Sequence, residues 1–181
     1  MRLLASLLLL AVVTACGASS TDDAQAGDRA TDIAFLTELM HRDAALLNLL
    51  DVGLGRRLDP AVTAATDQLR VDAIARIETA ADQLESWDEE VPKTVRDHGF
   101  EHSTDAHDIP SLDGMPTGDD LQELGREHGA GFEAAFVELL GSSLAATRDL
   151  AGALPADGEG VAALAREAKK SCDEALQAVS R

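Results

Sequence analysis

The chain has 181 residues and carries 33 acidic against 15 basic side chains, a formal net charge of −18. A surface that negative repels nucleic acid and anionic lipid and favours cations. Aromatic residues make up only 3% and tyrosine is absent, which argues against a base-stacking platform, and the length suits one domain.

Residues 1–15 read as an address rather than as fold. Arg2 supplies a positive start, and Leu3 to Val13 is an apolar run too short to span a bilayer as a mature helix. Val13-Thr14-Ala15-Cys16 then resembles the bacterial lipobox, small residues followed by the cysteine that receives diacylglycerol. Cys16 is therefore the expected lipidation site, and the expected location is extracytoplasmic, with the membrane as a partner through that lipid. Residues 16–30 are rich in Gly, Ala, Ser, Thr and Asp and read as a flexible tether. With Cys16 committed to lipid, Cys172 has no intramolecular partner, so a disulfide framework is excluded.

The remaining residues, 31–181, read as an all-α domain. A first helix is expected over Asp32–Val52, capped by Thr31 or Asp32, with Phe35, Leu36, Leu39, Met40, Leu46, Leu47 and Leu50 as its buried stripe. Gly53-Leu54-Gly55 ends it. Asp59-Pro60 opens a second helix, a cap followed by proline at the first helical position. Val62, Ala65, Leu69, Ala73, Ile77, Ala81, Leu84 and Trp87 line its inner face, and Pro92 is the expected stop. Lys93 to Pro116 is a polar loop. Thr117 then caps a short helix, with Asp120 as reciprocal partner. Leu121, Leu124 and His128 share a face, and Gly129-Ala130-Gly131 breaks the pattern. A long helix follows with the stripe Phe132, Ala135, Phe136, Leu139, Leu140, Ser143, Ala146 and Leu150, ending near Leu154-Pro155. After Gly158-Glu159-Gly160 a last helix carries Val161, Leu164, Ala165, Ala168, Cys172, Ala175, Leu176 and Val179. No stretch alternates as a strand does.

The two long helices align as an internal repeat. Phe35 falls on Phe136, Leu39 on Leu140, Ala44 on Ala145, Ala45 on Ala146 and Leu49 on Leu150. Each half, about 31–92 and 117–181, is then a helical hairpin. Two hairpins close a four-helix bundle in which each buries the stripe it cannot bury alone.

Gly114-Met115, Thr117 to Leu124 and Gly129 to Phe136 together resemble the linker "GM.T...L..L....G..F...F" of a ferritin-like bacterial family, domain of unknown function 305 (DUF 305). Asp32-Ile33-Ala34-Phe35-Leu36 is similar to the opening of that family's first half. The resemblance covers Asp32 to Val179 and implies an extracytoplasmic four-helix bundle of two halves. It also implies a His-His pair on the long helix of each half and a Gln and a Glu three residues apart on the following helix, and some relatives bind copper or other metals. This chain departs from that pattern. The first pair falls on Arg42-Asp43 and the second on Ser143-Leu144, while the later positions hold Ile77 and Ala80, then Cys172 and Ala175. These are vestigial ligand positions, and a di-metal carboxylate cluster cannot be assembled from them.

Asp43 lies on the inner stripe of the first helix, either as a residual ligand or paired with Arg42, Arg148 or the Ser143 hydroxyl, since an unpaired buried carboxylate is costly. Ser143 reads as a small polar spacer. Cys172 reads as a small hydrophobe on an apolar face or as a reactive, copper-binding thiol. His41 and His128 stand isolated. The loop concentrates donors, with His98, His102 and His107 beside Asp97, Glu101, Asp105 and Asp108. Imidazole with carboxylate suits Zn(II) or Cu(II), though the spacing matches no zinc signature. No nucleophile motif, phosphate-cradling loop or paired His-Glu face is present. The expectation is a non-enzymatic lipoprotein without a cofactor, acting as a binding or structural module for a protein partner. The alternative is a low-affinity copper or zinc protein that uses the His98, His102 and His107 loop.

Overall fold

The computed structural model describes residues 19–92, 110–154 and 160–180, with 19–28 as backbone only. Among the described residues every secondary-structure element is a helix. Its helices are α1 (Ser19–Val52), α2 (Pro60–Ser86), α3 (Gly118–Arg126), α4 (Gly129–Ala153) and α5 (Val161–Val179). No helix among the described residues is long and apolar enough to cross a membrane.

Helices α1 and α2 form one hairpin and α4 and α5 the other. The hairpins pack with α1 against α4 and α2 against α5, so the four helices close a ring. The short α3 lies against α1 and α4. The neighbours run antiparallel. A Cβ on Gly53 would touch the Phe136 ring, whereas one on Gly114, beside the middle of α1, would meet Ala146. Between α2 and α5, Ser171 Oγ donates to Asp72 at 2.6 Å while Gly160 lies beside Gln83.

The core is the expected one for α1. Phe35, Leu36, Leu39, Met40, Leu46, Leu47 and Leu50 are all buried. On α4 the buried stripe is Phe132, Phe136, Leu140, Ser143, Leu144, Thr147 and Ala151, which leaves Ala135, Leu139, Ala146 and Leu150 half-buried. The expected stripe was therefore turned partly away from the interior. Spacings of three and four admit two adjoining faces on this Ala- and Leu-rich helix, and α3 and the linker cover the second. The repeat survives at the level of burial. Phe35, Leu39, Arg42, Asp43, Leu46 and Leu50 are buried, as are their counterparts Phe136, Leu140, Ser143, Leu144, Thr147 and Ala151.

Three boundaries differ from the sequence expectation. Helix α1 begins at Ser19, not near Asp32, so the backbone of residues 19–30 is helical. Ala-rich sequence behind Ser19-Ser20-Thr21-Asp22-Asp23 suits a helix start, a signal that the polar composition masks. Arg29 then lies 4.9 Å over the Trp87 ring, joining this extension to the end of α2. Helix α2 ends at Ser86, before Pro92. Glu89 N donates to Leu84 O and Asp88 N to Glu85 O, each at 3.0 Å, with Asp88 at a φ of 63°. This is a Schellman-type stop in which a short polar residue takes the left-handed position. Helix α3 ends at Arg126, and Glu127-His128 is the break before α4. The other punctuation is as expected. Asp59 accepts from Ala61 N with Pro60 at the first position, and Thr117 with Asp120 forms a capping box.

Phe136 is fully buried and Phe35 is 4% exposed. Replacing either with alanine is expected to lower stability by about 3–5 kcal/mol in chemical denaturation. Gly114→Ala is expected to cost about 1–3 kcal/mol, since Gly114 has a φ of 79° and its Cβ would lie 2.6 Å from that of Ala146.

Candidate functional site

The residues at the positions where the resemblance implies ligands lie in or beside the bundle interior, and each has another task. Asp43 on α1 is fully buried, and its partner is Arg76 on α2. Arg76 Nε donates to Asp43 Oδ2 at 2.9 Å and Nη2 to Oδ1 at 2.5 Å, a bidentate pair whose side chains are each 1% exposed. The partner is thus neither Arg42, Arg148 nor Ser143. Arg148 instead donates to its neighbour Asp149 on the surface. The residue that sequence reasoning missed is Arg76. Its signal was present, because it is one position before Ile77 and three after Ala73 on the inner face of α2.

Arg42 is turned to the linker. Its Nε and Nη2 donate to Glu38 at 2.9 and 2.7 Å, and Nη1 donates to Asp113 O at 3.1 Å. The Arg42 side chain therefore fastens α1 to the segment that carries Gly114-Met115. Ser143 Oγ donates to Leu139 O at 2.8 Å, one turn back along its own helix. Leu144, Ile77, Ala80 and Ala175 are buried apolar packing. Cys172 has no exposure, and burial pushes its thiol up to about 12, the Arg76 charge opposing that shift. It is therefore a core side chain with no thiolate at neutral pH.

The electrostatics of the pair follow from its burial. Loss of water pushes the Asp43 carboxyl up, and the Arg76 guanidinium pulls it back. Burial opposes the Arg76 charge, yet Asp43 more than compensates and holds the arginine proton above its ordinary range. The net direction for Asp43 is upward, with burial as the larger cause, and each partner supplies part of what water would have supplied. Arg76 Nη1 is the one buried side-chain nitrogen or oxygen without a hydrogen bond among the described residues. These side chains do not make a metal site. The carboxylate is occupied by a guanidinium, the other positions offer a neutral thiol, a hydroxyl and aliphatic groups, and Arg76 itself repels a dication. Among the described residues no group of three or more His, Cys, Asp or Glu is placed to hold a metal ion.

The remaining candidates divide. Cys16, His98, His102 and His107 lie outside the described residues. His41 is half-buried on α1, where burial lowers its pKa and Glu38 raises it. His128 is the N-cap of α4 and exposed. Arg56, in the α1–α2 turn, donates to Gly125 O at 2.9 Å and Glu127 O at 3.3 Å, and lies 4.6 Å over the Phe132 ring. It thereby fastens the α3–α4 break to the first hairpin.

No family description and no curated protein sequence matches this chain. Among solved structures, the chain is similar to the crystal structure of a DUF305 fragment from Deinococcus radiodurans, with a TM-score of 0.65 and 14% identity, over 83% of this chain and 93% of that one. At that identity the likeness establishes a shared helical fold.

Removing one partner of a buried pair leaves the other charge uncompensated. Asp43→Ala and Arg76→Ala are each expected to cost about 3–5 kcal/mol in denaturant melts, and Asp43→Leu with Arg76→Met to recover most of that loss. His41 gives a pH dependence. Its folded pKa lies below the unfolded value of 6.5, so the fold favours the neutral ring. Its contribution is present above pH 6.5 and is lost as pH falls through the folded value. Melting temperature is expected to drop between pH 7.5 and 5 more steeply in the wild type than in His41→Gln.

Proposed function

We propose that the protein is a non-enzymatic, extracytoplasmic lipoprotein, a binding or structural module held at the membrane by a lipid on Cys16. The observation that carries this reading is the Asp43–Arg76 ion pair at the place where the resemblance implies interior metal ligands. A guanidinium, packed aliphatic side chains and a neutral thiol offer no redox centre, nucleophile or open coordination position. The lipobox-like Val13-Thr14-Ala15-Cys16 supports the anchor. The domain keeps its bundle while its interior serves packing, so its surface is left to meet a partner. The loop histidines His98, His102 and His107 supply the competing reading, weak copper or zinc binding away from the interior.

Fractionation of cells and metal titration of the purified chain test this together. The wild type is expected in the membrane fraction, and Cys16→Ser to be released or to remain unprocessed. Copper or zinc is expected to bind weakly, and the triple alanine variant at His98, His102 and His107 to abolish that binding without changing the melt. Membrane retention of processed Cys16→Ser would refute the anchor. Tight metal binding that survives the triple variant would refute the interior reading.

A further inference from the structure

Helices α3 and α4 diverge from the Glu127-His128 break and enclose an open groove of about 500 Å³. Its floor is Leu124, Ala135 and Leu139, of which Leu124 is buried and Ala135 and Leu139 are half-buried, with part of their surface open to the groove. Its rim is Asp120, Glu123 and Glu127 from the α3 side and Glu138 from α4, and no basic side chain lines it. The rim carboxylates are not equivalent. Asp120 is engaged by Thr117 in the capping box, and those hydrogen bonds hold its carboxyl below the usual range. Glu127 lies over the start of α4, its Oε2 3.1 Å from where a Cβ on Gly131 would stand, and this helix terminus has no side-chain cap. Glu123 and Glu138 serve no such purpose. Other carboxylates are answered by bases of the chain itself, as in Glu38 with Arg42, Asp51 with Arg70, Asp173 with Lys169 and Glu174 with Lys170.

We infer that this groove is a docking surface for a Lys/Arg-rich amphipathic segment of a partner protein. The proposal rests on the reading of the chain as a binding module and names the partner's chemistry. An apolar strip with carboxylates along both edges is complementary to a helix whose leucine-like face is flanked by lysines or arginines. The carboxylates are spread over two turns of α3 and a facing turn of α4, so they suit several separated charges. They are not gathered to hold one metal ion. A second copy of this chain is disfavoured by its own net charge of −18.

The test uses the purified full chain and a fluorescein-labelled helical peptide with leucines on one face and lysines flanking them. Saturable one-to-one binding is expected in the wild type by anisotropy at low salt. Glu123→Gln with Glu138→Gln is expected to weaken it about tenfold or more, and Leu139→Ser to weaken it as well. Asp67→Asn with Glu78→Gln removes the same charge from the exposed face of α2, and is expected to change affinity by less than about twofold. Melting curves of these surface variants check that the fold is intact. Absence of saturable binding would overturn the proposal. So would equal loss from both double variants, which would show general attraction to an acidic surface, or displacement of the peptide by micromolar calcium. Failure here with a membrane-tethered chain and a metal-free interior would sink the docking site alone, whereas an interior metal would sink the reading beneath it.

Discussion

Asp43 and Arg76 are two charges removed from water at the centre of an apolar bundle, and the surrounding architecture depends on their meeting. Each ion alone would carry a desolvation penalty of several kcal/mol. Together they form two hydrogen bonds between α1 and α2, which fixes how one helix is positioned along the other. Arg76 Nη1 is left without a partner, so the pair is not optimised for stability alone. Its chemical consequence is definite. The interior already contains a cation, and the carboxylate that a metal would use is bound to it.

The internal repeat shows how local this arrangement is. The counterparts of Arg42-Asp43 in the second half are Ser143-Leu144, and those of Arg76-Ile77 are Ser171-Cys172. Leu144 and Cys172 pack as apolar groups, and Ser171 reaches outward to Asp72 at 2.6 Å. One half therefore resolved the interior with an ion pair and the other with aliphatic packing and a thiol. The hairpins are joined by contacts of a different kind. Arg42 holds Asp113 O, Gly114 passes against Ala146, and Arg56 grips the carbonyls at the α3–α4 break. Two arginines thus anchor the ends of the connection to the first hairpin.

Much of this was legible in the residues. Period-3.6 stripes located the bundle helices, and Asp59-Pro60 and Thr117 with Asp120 located the starts of α2 and α3. Phe35 and Phe136 gave the repeat. The resemblance to DUF 305 pointed to interior positions whose residues here are not the ligand types it implies. What those positions do instead was less legible. Arg76 falls on an alanine-rich face, and a charged residue there reads as surface until its buried partner is known. The α4 stripe was misplaced because alanine and leucine occupy adjoining faces, and only the position of α3 decides between them. The α1 start was hidden by a polar composition shared by helix caps and tethers. The α3–α4 groove has no linear signature, since its two rims come from helices that meet at an angle.

Anomalous diffraction from crystals of the chain grown with excess copper tests the central claim most directly. The account predicts continuous density for the Asp43–Arg76 pair and no anomalous peak among Asp43, Ser143, Leu144 and Cys172. A copper peak there, with Arg76 swung away from Asp43, would contradict it.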